Sequence, residues 1–235
     1  MNFLIAGKQK DQNNKILLNE NSSETMKEAY RTLRSNLLNL QQKSNLKTLM
    51  ITSAVAEEGK TTTAINLAIS LKQAGQKVLL IDSNLRNDAV AERLKLTKDQ
   101  KGFSDYIKEK SELSSLIIQA ENYENLDVIT SGTIHQLTSD DLSVDLLQSF
   151  FKTLRKSYDW VIVDTAPASF SNTLLMSKYV DGVLLCVRQY ASAQDEVKQT
   201  VRNLKNASAD VIGTVMTRVD LQVEDQVKRL YAKQL

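Results

Sequence analysis

Apolar residues along the chain occur in short continuous runs that alternate with segments of helical periodicity. The runs, rich in Val, Ile and Leu, fall at 48–52, 78–81, 126–129, 160–163, 183–187 and 211–216. Between them apolar positions recur every three or four residues, which predicts helices at 61–74, 88–97, 103–109, 143–157, 171–179 and 192–206. Because continuous apolar runs are typical of parallel strands covered on both faces, the alternation predicts a doubly wound α/β fold with a mostly parallel sheet.

The N-terminal part of the chain has a different pattern. Residues 1–24 turn polar after a short apolar start, which predicts a flexible segment. Apolar side chains then return at helical spacing and, after an N-cap at Ser23, predict an amphipathic helix over 25–41. The chain holds a single proline and seven glycines, so no linker is expected to divide residues 25–235, which should form one domain.

Composition narrows the classes of function. The 30 basic and 28 acidic side chains give a net charge of +2, which does not indicate a nucleic-acid partner. The single cysteine excludes an internal disulfide and fits a reducing compartment. The apolar start is too short for a signal peptide, and no stretch approaches the ~20 apolar residues of a membrane span. We therefore expect a cytoplasmic protein that reaches a membrane only through a partner.

A phosphate-binding loop is predicted after the first apolar run. That run is followed by the letters SAVAEEGKTT at 53–62 and then by a helical segment. This is the order of a P-loop, in which main-chain N–H groups and the helix N-terminus hold phosphates, although Ala54 replaces the first glycine of the motif. Lys60 is expected to reach the β- and γ-phosphate oxygens of ATP, and the Thr61 hydroxyl to bind Mg²⁺. The cofactor-binding residues are predicted to be Glu58, Gly59, Lys60, Thr61 and Thr62.

Two further apolar runs end in a carboxylate, Asp82 after 78–81 and Asp164 after 160–163. Open parallel sheets bind their ligands at the carboxyl ends of the strands, so both side chains should lie beside the P-loop. Asp164 is expected to bind Mg²⁺ directly or through water, and Asp82 to orient a metal-bound water or accept a proton. Lys60, Asp82 and Asp164 are thus the candidate catalytic residues, and both carboxylates join Thr61 as candidate metal ligands.

Taken together, these segments resemble the bacterial tyrosine kinases of capsule and exopolysaccharide synthesis, which are P-loop proteins. The resemblance runs from about residue 28 to residue 220. The segments that carry it are EAYRTLR at 28–34, GKT at 59–61, LIDSNLRN at 80–87, GFSDYI at 102–107, VITSG at 128–132 and YDWVIVDTAP at 158–167. The ordered set is specific, whereas no single member of it would be.

The resemblance implies properties that the residues alone do not. In the family an E-x-x-R-x-x-R helix mediates ring-shaped self-association, which assigns Glu28, Arg31 and Arg34 to a homo-oligomer interface. These residues lie away from the apolar stripe of their helix, so they should be free to meet a neighbouring subunit. The resemblance also implies ATP and Mg²⁺ as cofactors, autophosphorylation on tyrosine, and activation by a membrane-embedded adaptor that sets polysaccharide chain length.

This sequence departs from the family pattern at several places. Asn84 stands where relatives usually have a second aspartate, and Thr173 where they have a later one. Ala56 and Glu57 replace the usual Pro-Gly before the phosphate-binding residues, and the last strand has Met216-Thr217-Arg218 where relatives often have an asparagine for the purine. Because phosphoryl transfer depends on placed charges, the loss of one carboxylate is expected to slow turnover more than it weakens binding.

The C-terminus departs most, because it has one tyrosine where relatives have a cluster. Tyr231 is either a lone phosphoacceptor or part of the apolar face of a terminal helix. Three functions stay open: an autophosphorylating tyrosine kinase, an ATP-binding scaffold with little or no kinase activity that controls assembly with the adaptor, and a partitioning or positioning ATPase. The last group has a lysine early in the loop, where this chain has Val55, so we favour it least.

Overall fold

A single sheet of eight strands organises the part of the chain that the structure describes, which is residues 2–6 as backbone only, 17–85, 87–97, 100–133 and 137–219. The structure is a computed structural model. Its strands are β1 (Asn2–Ala6), β2 (Thr48–Ser53), β3 (Val78–Asp82), β4 (Ile118–Ala120), β5 (Leu126–Ile129), β6 (Trp160–Asp164), β7 (Gly182–Arg188) and β8 (Val211–Val219). Its helices are α1 (Glu24–Ser44), α2 (Lys60–Gln73), α3 (Ala89–Leu94), α4 (Phe103–Glu109), α5 (Leu113–Leu116), α6 (Val144–Ser157), α7 (Ser171–Met176) and α8 (Gln194–Asn206).

The strands follow the order β1-β8-β7-β2-β6-β3-β5-β4, and every neighbouring pair is parallel except β4 with β5. β2 lies inside the sheet between β7 and β6, and β3 lies on the other side of β6. This confirms the predicted doubly wound, mostly parallel α/β fold. It also brings the carboxyl ends of β2, β6 and β3 side by side, which is where ligands bind in such sheets.

Helices cover the sheet on both faces because successive strand residues point to opposite sides. In β2, Leu49 and Ile51 pack into the cluster that includes the buried residues of α1 and α2, whereas Met50 packs into the opposite cluster, against α6. Side chains on both faces are buried, with Phe150 of α6 fully enclosed. This explains why the strands read as continuous apolar runs without alternation.

The N-terminal segment differs from its prediction. Residues 2–6 form β1, which pairs with the outer side of β8, and Leu17 and Leu18 are buried in the core. The Leu18 N–H donates to Asn66 Oδ1 at 2.9 Å, which fixes this stretch to α2. The prediction of a flexible segment over 1–24 is therefore wrong at these places. The sequence pattern did not predict these two features because the apolar stretches are only two to five residues long. Residues 7–16 lie outside the described residues.

Helix α1 agrees with its prediction and extends it by one turn at the C-terminal end. The Ser23 hydroxyl accepts a hydrogen bond from the Met26 N–H at 3.3 Å, so Ser23 is the N-cap. Tyr30, Leu33 and Leu37 are buried against the body of the protein. Among the residues that the structure describes, no helix combines the length and apolar character needed to cross a membrane.

Candidate nucleotide site at the carboxyl edge of the sheet

The predicted phosphate cradle lies between β2 and α2. Gly59 precedes α2 with a φ of 86°, in the left-handed region that glycine adopts without strain. A Cβ at this position would lie 3.2 Å from Thr217 Cγ2, so the close approach of β8 also favours glycine. Lys60 and Thr61 open the helix and are both buried. The first-turn N–H groups of a helix have no partner within it, so they can bind an anion.

A carboxylate inside the loop holds the cradle in shape. Glu58 is 1% exposed. Its Oε2 accepts a hydrogen bond from the Val55 N–H at 3.0 Å, and its Oε1 accepts one from the Arg188 N–H at 3.2 Å and one from the Ser192 hydroxyl. The Thr217 hydroxyl donates to the Glu58 carbonyl at 2.8 Å. The Glu58 side chain therefore ties the loop to the end of β7 and to the segment that follows it, and the Glu58 carbonyl ties the loop to β8. Spacing in the sequence does not reveal this role.

The residue before this carboxylate is conformationally unusual. Glu57 has a φ of 61°, in the left-handed region. Residues with a Cβ adopt this region at a cost of roughly 1 kcal/mol, whereas glycine does not. The backbone at this position therefore suits a glycine better than Glu57.

The two predicted carboxylates face each other across neighbouring strands. Asp82 at the end of β3 is directly opposite Asp164 at the end of β6. The Asp82 oxygens accept hydrogen bonds from the Asn84 N–H at 2.9 Å and the Val90 N–H at 3.3 Å. Burial, followed by the charge of Asp164, raises the pKa of Asp82 well above its ordinary value. Asp82 is thus a buried and fixed acid with a raised affinity for a proton.

Asp164 has an environment suited to a cation. It is 0% exposed, and neither of its carboxylate oxygens has a hydrogen-bond partner among the described residues. Burial raises its pKa to about 6, and the Thr61 hydroxyl and the Lys60 ammonium oppose that shift. Burying a carboxylate whose oxygens lack partners raises the free energy of the folded state unless a ligand binds to those oxygens.

The residues therefore fit a magnesium ion. Mg²⁺ is usually bound through one or two carboxylates together with substrate phosphates, and Asp164, Asp82 and the Thr61 hydroxyl supply oxygen donors of that kind. Burial lowers the pKa of the Lys60 ammonium below its ordinary value, while the charge of Asp164 raises it. All four residues predicted to form the centre of the site come together at one edge of the sheet.

A basic residue that the sequence did not single out also belongs to this region. Arg93 of α3 donates from Nη1 to the Thr62 hydroxyl at 2.8 Å, and its buried Nε has no partner among the described residues. Burial lowers the pKa of Arg93, and the charges of Asp164, Glu92 and Asp82 oppose that shift. In the sequence, Arg93 lies in an ordinary short helical segment, where it cannot be distinguished from a surface arginine.

A cavity of about 690 Å³ opens at the loops that follow Asp82 and Asp164, where Ser83 and Ala166 line it. Its described walls combine the segment after β3, including Asn84, with Phe103 and with α7, which contributes Asn172 and Thr173. The side-chain oxygens of both asparagines are buried and have no partner within the described ranges, and their amide nitrogens donate to Asn87 Oδ1 and to the Leu137 carbonyl. The Thr173 hydroxyl donates to the Ala166 carbonyl at 3.3 Å. The cavity thus offers hydrogen-bond acceptors between aromatic and aliphatic side chains.

Comparison with known proteins agrees with this geometry. A family model described as an AAA domain matches residues 46–214. Tyrosine-protein kinase YwqD of Bacillus subtilis (strain 168) is 32% identical over 190 residues, which are 80% of this chain and 79% of the relative. The chain belongs to the bacterial tyrosine kinase family. The resemblance inferred from the motifs is confirmed.

Solved structures of bacterial tyrosine kinases share the fold. The kinase domain of Escherichia coli tyrosine kinase ETK superposes with a TM-score of 0.79 at 29% identity, covering 86% of this chain and 80% of that one. The chimerical protein CapA2B2 gives a TM-score of 0.77 at 30% identity, covering 85% of this chain and 87% of that one.

The residues expected to join subunits in a bacterial tyrosine kinase lie on α1, away from the nucleotide site. Glu28 and Arg31 are exposed and form an ion pair at 3.5 Å. Arg34 is half-buried, and its Nη1 donates to the Ser70 carbonyl of α2 at 2.6 Å. The expectation that all three side chains are free is therefore wrong for Arg34, because α1 packs closely enough on α2 for the arginine to reach it. Tyr231 lies outside the described residues.

Proposed function

We propose that the protein is a MgATP-dependent protein-tyrosine kinase of the autophosphorylating type that regulates capsular or exopolysaccharide synthesis and export. It acts in the cytoplasm and is recruited to the membrane by an embedded chain-length adaptor. The observation that carries this proposal is the buried Asp164 carboxylate, whose two oxygens have no described partner, beside Lys60 and opposite Asp82. Membership of the bacterial tyrosine kinase family supports the choice of reaction.

In this proposal the nucleotide's phosphates bind at the N-terminus of α2. Lys60 and the first main-chain N–H groups hold the β- and γ-phosphate oxygens, and the Thr61 hydroxyl and Asp164 hold Mg²⁺. When bound, the metal neutralises charge that develops on the transferred phosphoryl group. The Glu58 contacts with Val55, Arg188 and Ser192 keep the loop open, so little reorganisation is needed when the phosphates arrive.

Phosphoryl transfer then needs a tyrosine hydroxyl in line with the γ-phosphate. The phenolic oxygen bonds to the γ-phosphorus, the bond from that phosphorus to the β–γ bridging oxygen breaks, and ADP leaves. Asp82 accepts the phenolic proton, because its raised pKa favours that form and two main-chain N–H groups hold its oxygens in place. The cavity next to Asp82 is the acceptor side of the site, with room for an aromatic side chain between Phe103 and α7.

A second function is favoured by the composition of that cavity. Asn84 and Thr173 place an amide and a hydroxyl where relatives have carboxylates, and neither can act as a base at neutral pH. A chain that keeps the phosphate site but lacks these acids can bind MgATP and turn it over poorly. It would then be a scaffold whose nucleotide occupancy controls assembly with the adaptor.

Self-association is the remaining part of the proposal. Glu28 and Arg31 remain exposed on α1 and present a charged surface to a neighbouring subunit, while Arg34 stabilises the packing of α1 on α2. We propose that this surface forms a homo-oligomer in which a tyrosine of one subunit, with Tyr231 as the candidate, reaches the site of the next. Charge reversal at Glu28 and Arg31 together should dissociate the oligomer in sedimentation experiments.

Incubation of the full chain with γ-labelled ATP and Mg²⁺, with and without an adaptor's cytoplasmic tail, distinguishes the functions. Label on tyrosine that is absent in Lys60→Met supports the kinase. ATP binding without label contradicts the kinase and supports the scaffold. Release of free phosphate that rises with dimerisation supports the partitioning ATPase instead.

A further inference from the structure

Arg93 of α3 is a partly buried basic residue that the proposed reaction does not use. Its Nη1 donates to the Thr62 hydroxyl at 2.8 Å, and its Nε is buried with no described partner. Buried donors are nearly always paired, so an unpaired one indicates an acceptor that a ligand supplies. The hydrogen bond to Thr62 places the guanidinium of this α3 residue against the first turn of α2, the helix whose N-terminus is expected to hold phosphates.

The hydrogen bond from Arg93 leaves the Thr62 hydroxyl free to donate its hydrogen. A threonine hydroxyl has one hydrogen to donate, and here its oxygen already accepts from Arg93. The hydroxyl hydrogen is therefore available to a second acceptor. Thr62 is next to Thr61 in the first turn of α2, where the phosphates are expected to bind. The second acceptor is therefore expected to be a nucleotide phosphate oxygen.

The charges around Arg93 also favour a bound phosphate. Arg93 acts on Asp164 together with Lys60, and both cations lower the pKa of that carboxyl group against the effect of burial. Arg93 also lowers the pKa of Lys60, as expected for two cations held near each other. Two positive side chains close to one carboxylate form a site prepared for an additional anion.

We propose that Arg93 is a phosphate-binding residue of the nucleotide site, orienting the Thr62 hydroxyl and supplying a second positive charge beside Lys60. The proposal rests on the nucleotide site described above and extends it. Its consequence concerns the metal: part of the phosphate charge is neutralised by the protein, so ADP should bind with less dependence on Mg²⁺ than a lysine-only cradle would allow.

The test measures the affinity of fluorescent ADP for the full chain in excess Mg²⁺ and in EDTA. Arg93→Met should weaken binding at least tenfold in EDTA and by a smaller factor in Mg²⁺, because a hydrogen bond to a charged group contributes about that much. Arg93→Lys keeps the charge and loses the planar fork, so its ADP affinity should lie between those of wild type and Arg93→Met. Arg202→Met is the matched control, since Arg202 is an exposed arginine on α8, and it should bind like wild type in both buffers.

Coupling to Thr62 gives a second measurement. Thr62→Val should also weaken ADP binding. The double variant with Arg93→Met should bind ADP more weakly than wild type by less than the product of the two single-variant factors, because the groups act together. Equal affinity of wild type and Arg93→Met in EDTA would overturn the proposal, as would full additivity. Melting curves establish that the variants fold; should Arg93→Met not fold, Arg93→Lys alone decides by weakening or not. If wild type itself fails to bind ADP, the nucleotide site is wrong and not merely Arg93.

Discussion

The two halves of the proposed active site differ in how completely they are equipped. The phosphate side has Lys60 at a helix N-terminus, a loop braced by Glu58, and Asp164 with both oxygens available to a cation. The acceptor side has a cavity lined by Asn84 and Thr173, an amide and a hydroxyl that cannot act as bases at neutral pH. We therefore expect binding and turnover to be separable in this chain, since binding needs the first half and proton transfer the second.

The largest expected effect tests the phosphate side. Lys60→Met removes the buried ammonium, and we expect ATP affinity to fall by about a hundredfold or more and tyrosine labelling to disappear. Isothermal titration measures the affinity. Lys72→Met alters a half-buried lysine in the last turn of the same helix and should leave binding within about twofold. Unchanged ATP affinity in Lys60→Met would contradict the assignment of Lys60 to phosphate binding.

Asp164→Asn should lose activity and gain stability. The variant keeps the shape of the side chain but cannot hold Mg²⁺, so metal-dependent ATP binding should weaken by about tenfold or more. Burial raises the pKa of Asp164 to about 6, so above that pH its ionised form lowers the free energy of unfolding of the nucleotide-free protein by about 1–3 kcal/mol.

The pH dependence follows from the same shift. The pKa of Asp164 is higher in the folded than in the unfolded chain, so its destabilising effect is fully present above pH 6 and is lost as the pH falls towards about 4. The melting temperature of Asp164→Asn should exceed that of wild type most clearly near pH 7, and the gap should close towards pH 4. A gap that is constant with pH contradicts the assigned burial cost.

Asn84→Asp tests the acceptor side. It returns a carboxylate to the cavity beside Asp82, and we expect phosphotyrosine formation to rise by about tenfold with little change in ATP affinity. Mass spectrometry after timed incubation gives the rate. Asn206→Asp adds the same charge at an exposed position at the end of α8 and should have no effect. A rate that stays at the wild-type level in Asn84→Asp would indicate that the missing acid does not limit turnover.

The smallest expected effect concerns the backbone of the loop. Glu57 has a φ of 61°, so Glu57→Gly should stabilise the protein by about 1 kcal/mol and raise the melting temperature by roughly 2–4 °C. Glu57→Ala, which removes the charge and keeps the Cβ, should show no such gain. Equal stabilisation by both variants would attribute the effect to charge and not to conformation.

Much of the fold could be predicted from the sequence because the buried strands are covered on both faces. β2, β3 and β6 are continuous apolar runs for that reason, and the positions of Lys60, Asp82 and Asp164 follow from their places at the ends of those elements. The strand β1 could not be predicted, since it is a short edge strand whose partner β8 is distant in sequence. β4 was not predicted because its three residues are too few to show a pattern, although its partner β5 follows closely in the chain.

Side-chain contacts between distant segments were equally hidden. Nothing in the spacing shows that Glu58 braces the loop against Arg188 and Ser192, or that Arg93 reaches Thr62. Nor does the helical pattern of α1 reveal that Arg34 turns to the Ser70 carbonyl. These contacts depend on how helices pack on the sheet, and the order of residues does not fix that packing.

The most direct measurement is a crystal structure of the full chain with Mg²⁺ and a non-hydrolysable ATP analogue. We predict that the triphosphate lies against the first main-chain N–H groups of α2 and contacts the Lys60 ammonium, and that the metal is bound to the Thr61 hydroxyl and Asp164. A nucleotide bound elsewhere, or an Asp164 that faces neither metal nor metal-bound water, would contradict it.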